Sequence, residues 1–272
     1  VKAQRVMAQM MLMFALAPAV APIIGGWLHD AFGWRSVFVF LTLLGLGAWI
    51  WTALALPETL PKRERQSIHP RAVAVAYGRA LRSSAFMQLV GMVALNFGAI
   101  FLYIAASPVV IYQHLHYGAH DFWRLFVPLV SGMMIGTFAS GRLAGRLSHA
   151  HAVDLGYALM LIAATSSLAL TFTTVSGTLS IILPGMLYAS GMALAMPNLT
   201  LMALDIFPRN RGTASAVQGF SQTTFNAAIA GVLAPFLSLQ LPWMAAGMLV
   251  MCFSGFVLWR WARHKHSPGT AA

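Results

Sequence analysis

The sequence predicts an all-α protein that crosses a membrane several times, and three observations support this fold class. Hydrophobic residues make up 59% of the 272 residues and charged residues only 8%, with a mean hydropathy of +0.74. A soluble domain would carry about 25% charged residues. Uncharged runs recur at the length of about 20 residues that a membrane-crossing helix needs. All Lys and Arg residues except Arg35 and Arg124 fall on one side once the chain is threaded through the membrane, as expected if basic loops stay cytoplasmic.

The first four predicted spans are uncharged runs bounded by polar segments. Val6 to Leu28 is the first run and Ser36 to Pro57 the second, with the turn His29 to Arg35 between them. The third span lies within Ala85 to Tyr112. The fourth extends from about Phe122 to Leu147. Each run is long enough to cross the hydrocarbon layer once as a helix.

Two longer uncharged stretches each predict a pair of helices. Leu155 to Leu204 is twice the length of one span, and the polar patch Thr171 to Ser180 is its natural turn. Gly212 to Trp259 divides in the same way at Ser238 to Pro242. The total is eight spans, an even number that places both ends of the chain on the same side, and the basic residues make this the cytoplasmic side.

A charged linker predicts the division into domains. Residues 57–83 are the one long hydrophilic segment, so residues 1–56 form a two-helix unit and residues 84–263 a six-helix unit. Residues 264–272 are expected to be a cytoplasmic tail. A net charge of +11 is compatible with nucleic-acid binding, but it is spread over short loops and forms no basic face, so no nucleic-acid partner is expected.

The first span contains a proline and glycine pattern with a mechanical consequence. Pro18 and Pro22 remove backbone donors and bend the helix, while Gly25 and Gly26 let another helix approach closely. The pattern resembles the antiporter motif in the fifth helix of drug:proton antiporters of the major facilitator superfamily, although Ala21 replaces a glycine of that motif. The alternative is a kinked helix without this hinge role.

Further segments strengthen the resemblance. Gly33 to Arg35 and Leu56 to Leu60 are similar to the connections of drug exporters, and Ser140 to Leu147 resembles a degenerate loop motif of the superfamily. Ala105 to Tyr112 and Phe207 to Phe220 resemble the Bcr/CflA, or bicyclomycin-resistance, subfamily. The resemblance implies helices 5–12 of a twelve-helix transporter, with the missing N-terminal helices of the same protein as a partner.

The implied function is the export of drugs or small organic solutes in exchange for protons by alternating access. Two alternatives remain: a truncated remnant that does not transport, and an exporter of one metabolite such as a sugar, nucleoside or amino-acid derivative. We expect eight helices alone not to transport. A membrane enzyme is disfavoured because no His lies within a span and no Gly-x-Ser-x-Gly elbow occurs, and a channel because no filter-like segment appears.

Polar side chains deep within spans are the candidates for a substrate cavity, since uncompensated polar groups are costly in a bilayer. They are Asn96, Tyr103, Tyr188, Asn198, Gln218, Gln222 and Asn226. The last three are spaced four apart and form one stripe, which either lines a cavity or hydrogen-bonds neighbouring helices. Pro197, just before Asn198, suggests a broken helix near a site.

Charged residues at helix ends are candidates for a cytoplasmic latch: Arg142, Arg146, Asp205, Arg209 and Arg211. Membrane topology alone also explains their positions. All six acidic residues lie in loops or at helix ends, so no proton-carrying residue is assigned. His114, His116 and His120 cluster in an outer loop, where three imidazoles could bind a transition metal. The interpretation favoured by the sequence is a hydrated loop without a metal. We expect no metal and no cofactor, with membrane lipid surrounding the chain.

Overall fold

The structure, a computed structural model, describes residues 20–21, 24–57, 70–143, 145–173, 178–208 and 210–266, which are almost entirely helical. Most of the first predicted span, Val6 to Leu28, lies outside the described residues. Six helices of the described part are long and apolar enough to cross a membrane: Trp34–Ala55, Ser84–His114, Trp123–Leu143, His149–Leu170, Thr178–Asp205 and Leu241–His264. The all-α, multi-span fold class is thereby confirmed.

The helices are labelled in chain order. They are α1 (Trp34–Ala55), α2 (Pro70–Arg82), α3 (Ser84–Val109), α4 (Trp123–Leu143), α5 (His149–Leu170), α6 (Thr178–Asp205), α7 (Arg211–Ala228) and α8 (Leu241–His266). The helices α3 to α8 correspond to the third to eighth predicted spans. The predicted breaks inside the two long uncharged stretches are confirmed, because turns occur at residues 171–173 and 238–240.

The helix at residues 24–32 joins α1 through a tight turn at Gly33. Gly33 has φ +80°, a left-handed conformation that glycine adopts without the steric penalty of a Cβ. The hydroxyl of Ser36 lies within hydrogen-bonding distance of the carbonyl oxygens of Leu28 (2.9 Å) and Gly33 (2.7 Å). No residue of α1 is buried by the rest of the described chain, so the surface of α1 is available to lipid or to other helices.

The charged linker contains a short helix, α2, that the sequence did not predict. Pro70 suits its first position because the missing N–H has no intrahelical partner there in any case. Arg79 and Arg82 lie in the last turn, where cations meet the negative end of the helix dipole. Ser83 then caps α3 by accepting a hydrogen bond from the backbone N–H of Phe86 (3.4 Å).

The helix α3 is central to the bundle and contacts α6, α7 and α8. Pro108 lies near its end, and the chain continues as a π-helical segment over Val110–His114. Proline removes one backbone donor from the helix, which favours such an irregular turn. His114 Nε2 lies 2.9 Å from the carbonyl oxygen of Ser238, so the end of α3 is tied to the turn before α8.

Glycines bring α4, α5 and α6 into close contact. A Cβ built on Gly132 would lie only 2.1 Å from the carbonyl oxygen of Met186 in α6, and one built on Gly136 would lie 2.2 Å from a carbonyl one turn further on. The helices α5 and α6 approach each other similarly at Gly156 and Gly191. Small residues at membrane-helix interfaces allow this backbone-to-backbone packing.

The seventh span is the most polar helix of the bundle. From Arg211–Ala228 it continues through a π-helical segment, Ile229–Leu233, into Ala234–Leu237. Because it is polar, it is not among the six apolar helices found in the described residues. It nevertheless packs against α2, α3 and α6, which places it within the bundle.

The ends of α3 to α8 lie on two faces of the bundle, because successive helices alternate in direction. One face carries α2, the turns at residues 145–148 and 206–208 and the C-terminal end of α8, and we call it the linker face. The other face carries the turns at residues 115–118, 171–173 and 238–240. The basic residues of the described chain concentrate on the linker face, apart from Arg35 and Arg124.

Candidate functional site

The amide stripe of α7 lies on the side of the helix that faces the bundle. Gln218 is 8% exposed, and Gln222 and Asn226 are half-buried. Phe225, beside them, packs so closely on α3 that a Cβ on Gly98 would lie 2.6 Å from its ring. The three amides therefore lie near the contact between α7 and α3.

The stripe is only partly satisfied by hydrogen bonds. Gln218 Nε2 donates to the hydroxyl of Thr200 in α6 at 3.0 Å. The buried oxygens Gln218 Oε1 and Asn226 Oδ1 have no hydrogen-bond partner among the described residues. One interhelical bond thus supports the hydrogen-bonding alternative for Gln218. The two unpaired oxygens are buried acceptors that lack a donor among the described residues.

The exposed side of α7 next to the amide stripe is built from small residues. Gly212, Ser215, Gly219 and Thr223 follow one another at intervals of three or four residues, and all are exposed. A Cβ on Gly212 or Gly219 would meet no atom within 4 Å. This surface allows another helix to approach the backbone of α7.

Asn96 and Tyr188 lie inside the helix bundle, where they join a buried polar cluster. Asn96 is fully buried, and its Nδ2 donates to the hydroxyl of Tyr157 in α5 at 3.0 Å. The hydroxyl of Tyr188 in α6 donates to the backbone carbonyl of Asn96 at 3.1 Å. Gly255 of α8 packs directly against Asn96 Oδ1. These contacts join four helices, and a role for Asn96 or Tyr188 in a substrate cavity stays a prediction.

Tyr157 and Cys252 complete the polar cluster. Sequence reasoning did not select Tyr157, although a tyrosine within a long uncharged run was the available signal. Cys252 of α8 is fully buried next to the hydroxyl of Tyr188. The cluster therefore fixes α3, α5, α6 and α8 relative to one another.

Tyr103 lies nearer the face opposite the linker face, against a small cavity of about 70 Å³. Its side chain is 3% exposed, and its hydroxyl has no hydrogen-bond partner within the described chain. Gly185 and Thr171 also line the cavity. A space of this size holds one or two waters and no drug-sized solute.

Asn198 of α6 lies near the linker face and contacts a residue of the preceding helix, α5. His149 Nδ1 lies 2.6 Å from Asn198 Oδ1, an atom that only accepts hydrogen bonds, so the imidazole donates. Asn198 Nδ2 in turn donates to the carbonyl of Leu194 at 2.9 Å. The suggestion of a broken helix at Pro197 is wrong, because α6 continues from Thr178 to Asp205.

The latch candidates on the linker face have different surroundings. Arg211 Nη2 donates to Asp205 Oδ1 at 2.6 Å, bridging the turn between α6 and α7. Arg142 lies over the ring of Phe138 at 4.4 Å. Arg146 is exposed in the turn after α4, and Arg209 lies outside the described residues.

One ion pair on the linker face was not predicted. Asp154 at the start of α5 accepts hydrogen bonds from Arg263 Nη1 and, at 2.7 Å, from Trp259 Nε1, both in α8. The residues are more than 100 positions apart in the sequence. The only available signal was an acid just inside a span on the same face as the basic end of the last helix.

The proposed hinge is described only in part. Pro18 and Pro22 lie outside the described residues. Gly25 and Gly26 lie in the helix at residues 24–32, and a Cβ on either would meet no described atom within 4 Å. Their surface is therefore open to contact with another helix.

A comparison with known families accounts for the multi-span fold. A sequence profile of the Major Facilitator Superfamily matches residues 2–225. The chain belongs to this superfamily. It is therefore a multi-pass membrane protein of a transporter family rather than an enzyme family, as the sequence motifs predicted.

Curated relatives carry the names of drug transporters. The chain is 31% identical over 213 residues to "Multidrug transporter MdfA" of Edwardsiella piscicida, an alignment that covers 75% of this chain and 50% of that protein. It is 28% identical over 214 residues to the transporter of the same name from Yersinia pestis, with the same coverage. It is 27% identical over 138 residues to "Bicyclomycin resistance protein homolog" of Haemophilus influenzae, covering 51% of this chain and 35% of that protein. The chain thus spans about half the length of the MdfA relatives it matches.

Proposed function

We propose that this chain is part of a Bcr/CflA-type exporter that moves drugs or small organic solutes across the bacterial inner membrane in exchange for protons. The observation that carries the proposal is α7, a polar helix with an amide stripe in a chain of a transporter superfamily. Its oxygens Gln218 Oε1 and Asn226 Oδ1 have no partner in the described chain, and such atoms are costly inside a bilayer. Both oxygens are buried in this arrangement, so a solute or water would supply the missing donors once movement of α7 during transport exposes them.

Two surfaces fit the contact with further helices that transport requires. The small-residue side of α7 is exposed along its length, and α1 has no buried residue. Helices that cover these surfaces would enclose the amide stripe between two halves of a transporter. We propose that the four N-terminal helices implied by the motif resemblance occupy this position.

Alternating access then follows from rocking of the two halves, with the linker face on the cytoplasmic side. The ion pair between Asp205 and Arg211 lies on that face, and both side chains are about 60% exposed. An exposed pair of this kind contributes at most about 1 kcal/mol. It is weak enough to break and re-form as the cytoplasmic side opens and closes.

Proton coupling is proposed to reside outside this chain. The four described acids lie at helix ends or in turns, each within 4 Å of a basic nitrogen: Asp30, Asp121, Asp154 and Asp205. A coupling carboxylate needs a cavity near the membrane centre where it can gain and lose a proton. We therefore place that group in the four N-terminal helices.

The test is energised efflux. Cells that produce the chain together with a separate polypeptide carrying four N-terminal helices of a related exporter are loaded with ethidium, and its loss is followed by fluorescence. We expect efflux that an uncoupler abolishes, and no efflux from cells producing the chain alone. Bicyclomycin, sugars and nucleosides are then tested as competitors, which separates a multidrug exporter from a metabolite exporter.

The site within α7 is tested with a matched pair of variants. Gln218→Ala removes an amide of the stripe, whereas Thr224→Ala changes an exposed residue on the other side of the same helix. We expect the first to change the efflux rate or the order of competitor potency and the second to leave both unaltered. Equal effects of the two variants would contradict a cavity at the amide stripe, and absence of uncoupler-sensitive efflux would contradict the exporter itself.

A further inference from the structure

A cavity between helix ends opens on the linker face, away from the amide stripe. Its volume is about 560 Å³, within the range of small-molecule sites in proteins. It lies between the ends of four helices, with the first turns of α3 and α5 and the last turns of α6 and α8 forming its walls. Because these are the ends of spans, the cavity lies at the depth of the membrane–water interface.

The walls of the cavity differ in chemistry from one end to the other. Its inner part is apolar, with Leu89 of α3, Met202 of α6 and Ile206 of the turn after α6 among the lining residues. Its outer part is basic, with Arg260 and His264 of α8. A ligand that fits both parts carries an anionic group at one end and a hydrocarbon chain at the other.

Two of the basic residues at the cavity, Arg260 and His264, are not neutralised by the described part of the bundle. Asp154, the nearby acid, is already paired with Arg263 and Trp259. Neither an ion pair nor a hydrogen bond engages the side chains of Arg260 and His264 in the described part of the chain. Arg260 is exposed and free to bind a phosphate, and guanidinium groups bind phosphate oxygens with two parallel hydrogen bonds.

We propose that this cavity is a binding site for an anionic phospholipid of the surrounding leaflet. The phosphodiester contacts Arg260 and His264, and one acyl chain occupies the apolar part beside Leu89. Basic pockets between membrane helices favour anionic headgroups for the same electrostatic reason. Trp259, whose indole N–H is held by Asp154, would form a rigid wall between the acyl chain and the Arg263 ion pair. The lipid would therefore link the ends of α3, α5, α6 and α8.

The test is native mass spectrometry of the full chain in detergent, titrated with phosphatidylglycerol or with phosphatidylcholine of the same acyl chains. We expect phosphatidylglycerol to be retained preferentially. Arg260→Gln should lower its apparent affinity about fivefold, the effect of one basic residue near a lipid headgroup. Arg142→Gln is the matched control, because Arg142 lies at the same face but outside the cavity, over Phe138. It should leave the affinity within about twofold.

A second variant tests the acyl-chain part of the site without changing any charge. Ala85 lines the cavity, so Ala85→Phe should fill it and lower phosphatidylglycerol binding while the helical circular dichroism is retained. Inorganic phosphate in equal concentration should not displace the lipid. Equal losses with Arg260→Gln and Arg142→Gln would mean diffuse attraction to a basic surface and would overturn the site. Displacement by phosphate alone would identify a phosphate site instead, which also overturns the lipid proposal.

Discussion

The glycine contacts between α4 and α6 allow a quantitative prediction about stability. The Cβ of Gly132→Ala would lie 2.1 Å from the carbonyl oxygen of Met186, whereas real Cβ contacts essentially never fall below 3.0 Å. The two helices must therefore separate locally by about 1 Å or bend. Such overpacking costs about 1–3 kcal/mol.

The matched control is another glycine in the interior of a helix. A Cβ on Gly91 of α3 would meet only Leu258, at 3.9 Å, which is an ordinary van der Waals contact. Both Gly→Ala changes gain up to about 1 kcal/mol of helix propensity. The difference between the two variants therefore isolates the steric cost, and we expect Gly132→Ala to be less stable than Gly91→Ala by about 1–3 kcal/mol.

The assay is unfolding of the detergent-solubilised chain by sodium dodecyl sulfate, followed by circular dichroism. We expect the midpoint for Gly132→Ala to move to lower detergent fraction, while Gly91→Ala stays at or above the parent value. Equal midpoints for the two variants would refute the close backbone contact between α4 and α6.

Two further predictions concern the polar contacts between helices. Tyr157→Phe leaves Asn96 Nδ2 without its acceptor and should lower the free energy of unfolding by about 0.6–1.7 kcal/mol. In the same assay, the exposed control Tyr112→Phe should change the free energy of unfolding little. An unaltered free energy of unfolding for Tyr157→Phe would contradict the buried hydrogen bond. Asp154→Asn keeps an acceptor for Trp259 but removes the charge that pairs with Arg263. Because both side chains of this pair are about one-third exposed, the loss of unfolding free energy should not exceed about 1 kcal/mol and should diminish in high salt. A loss that does not depend on salt would mean that packing, not charge, holds α5 to α8.

The positions of the spans could be predicted from the sequence because they depend on local composition. The polar patch at Thr171 to Ser180 interrupts an uncharged stretch too long for one helix, and the structure turns at residues 171–173. The sequence did not predict the linker helix α2, because its thirteen residues carry three arginines and follow a charged run. Such a composition is typical of a loop. Its stability comes from packing against α3 and α7, and composition does not record that contact.

The candidate site was predictable only as a set of polar residues. A four-residue spacing places Gln218, Gln222 and Asn226 on one side of a helix, and that side faces the bundle. Whether a buried amide lines a cavity or bonds a neighbour depends on residues far away in the chain, as Asn96 and Tyr157 show with 61 positions between them. The pairing of Asp154 with Arg263 was hidden for the same reason.

The central claim is that α7 lines the path of a proton-coupled exporter. Its most direct test is proton movement in proteoliposomes that contain the purified chain and the four completing helices, with a pH-sensitive dye inside. With a pH gradient imposed, we expect substrate addition to dissipate that gradient, and Gln218→Ala to change the substrate concentration required. Substrate movement without any change in the gradient would contradict proton exchange. If none of the compounds that intact cells export alters the pH gradient, transport through this chain would be contradicted.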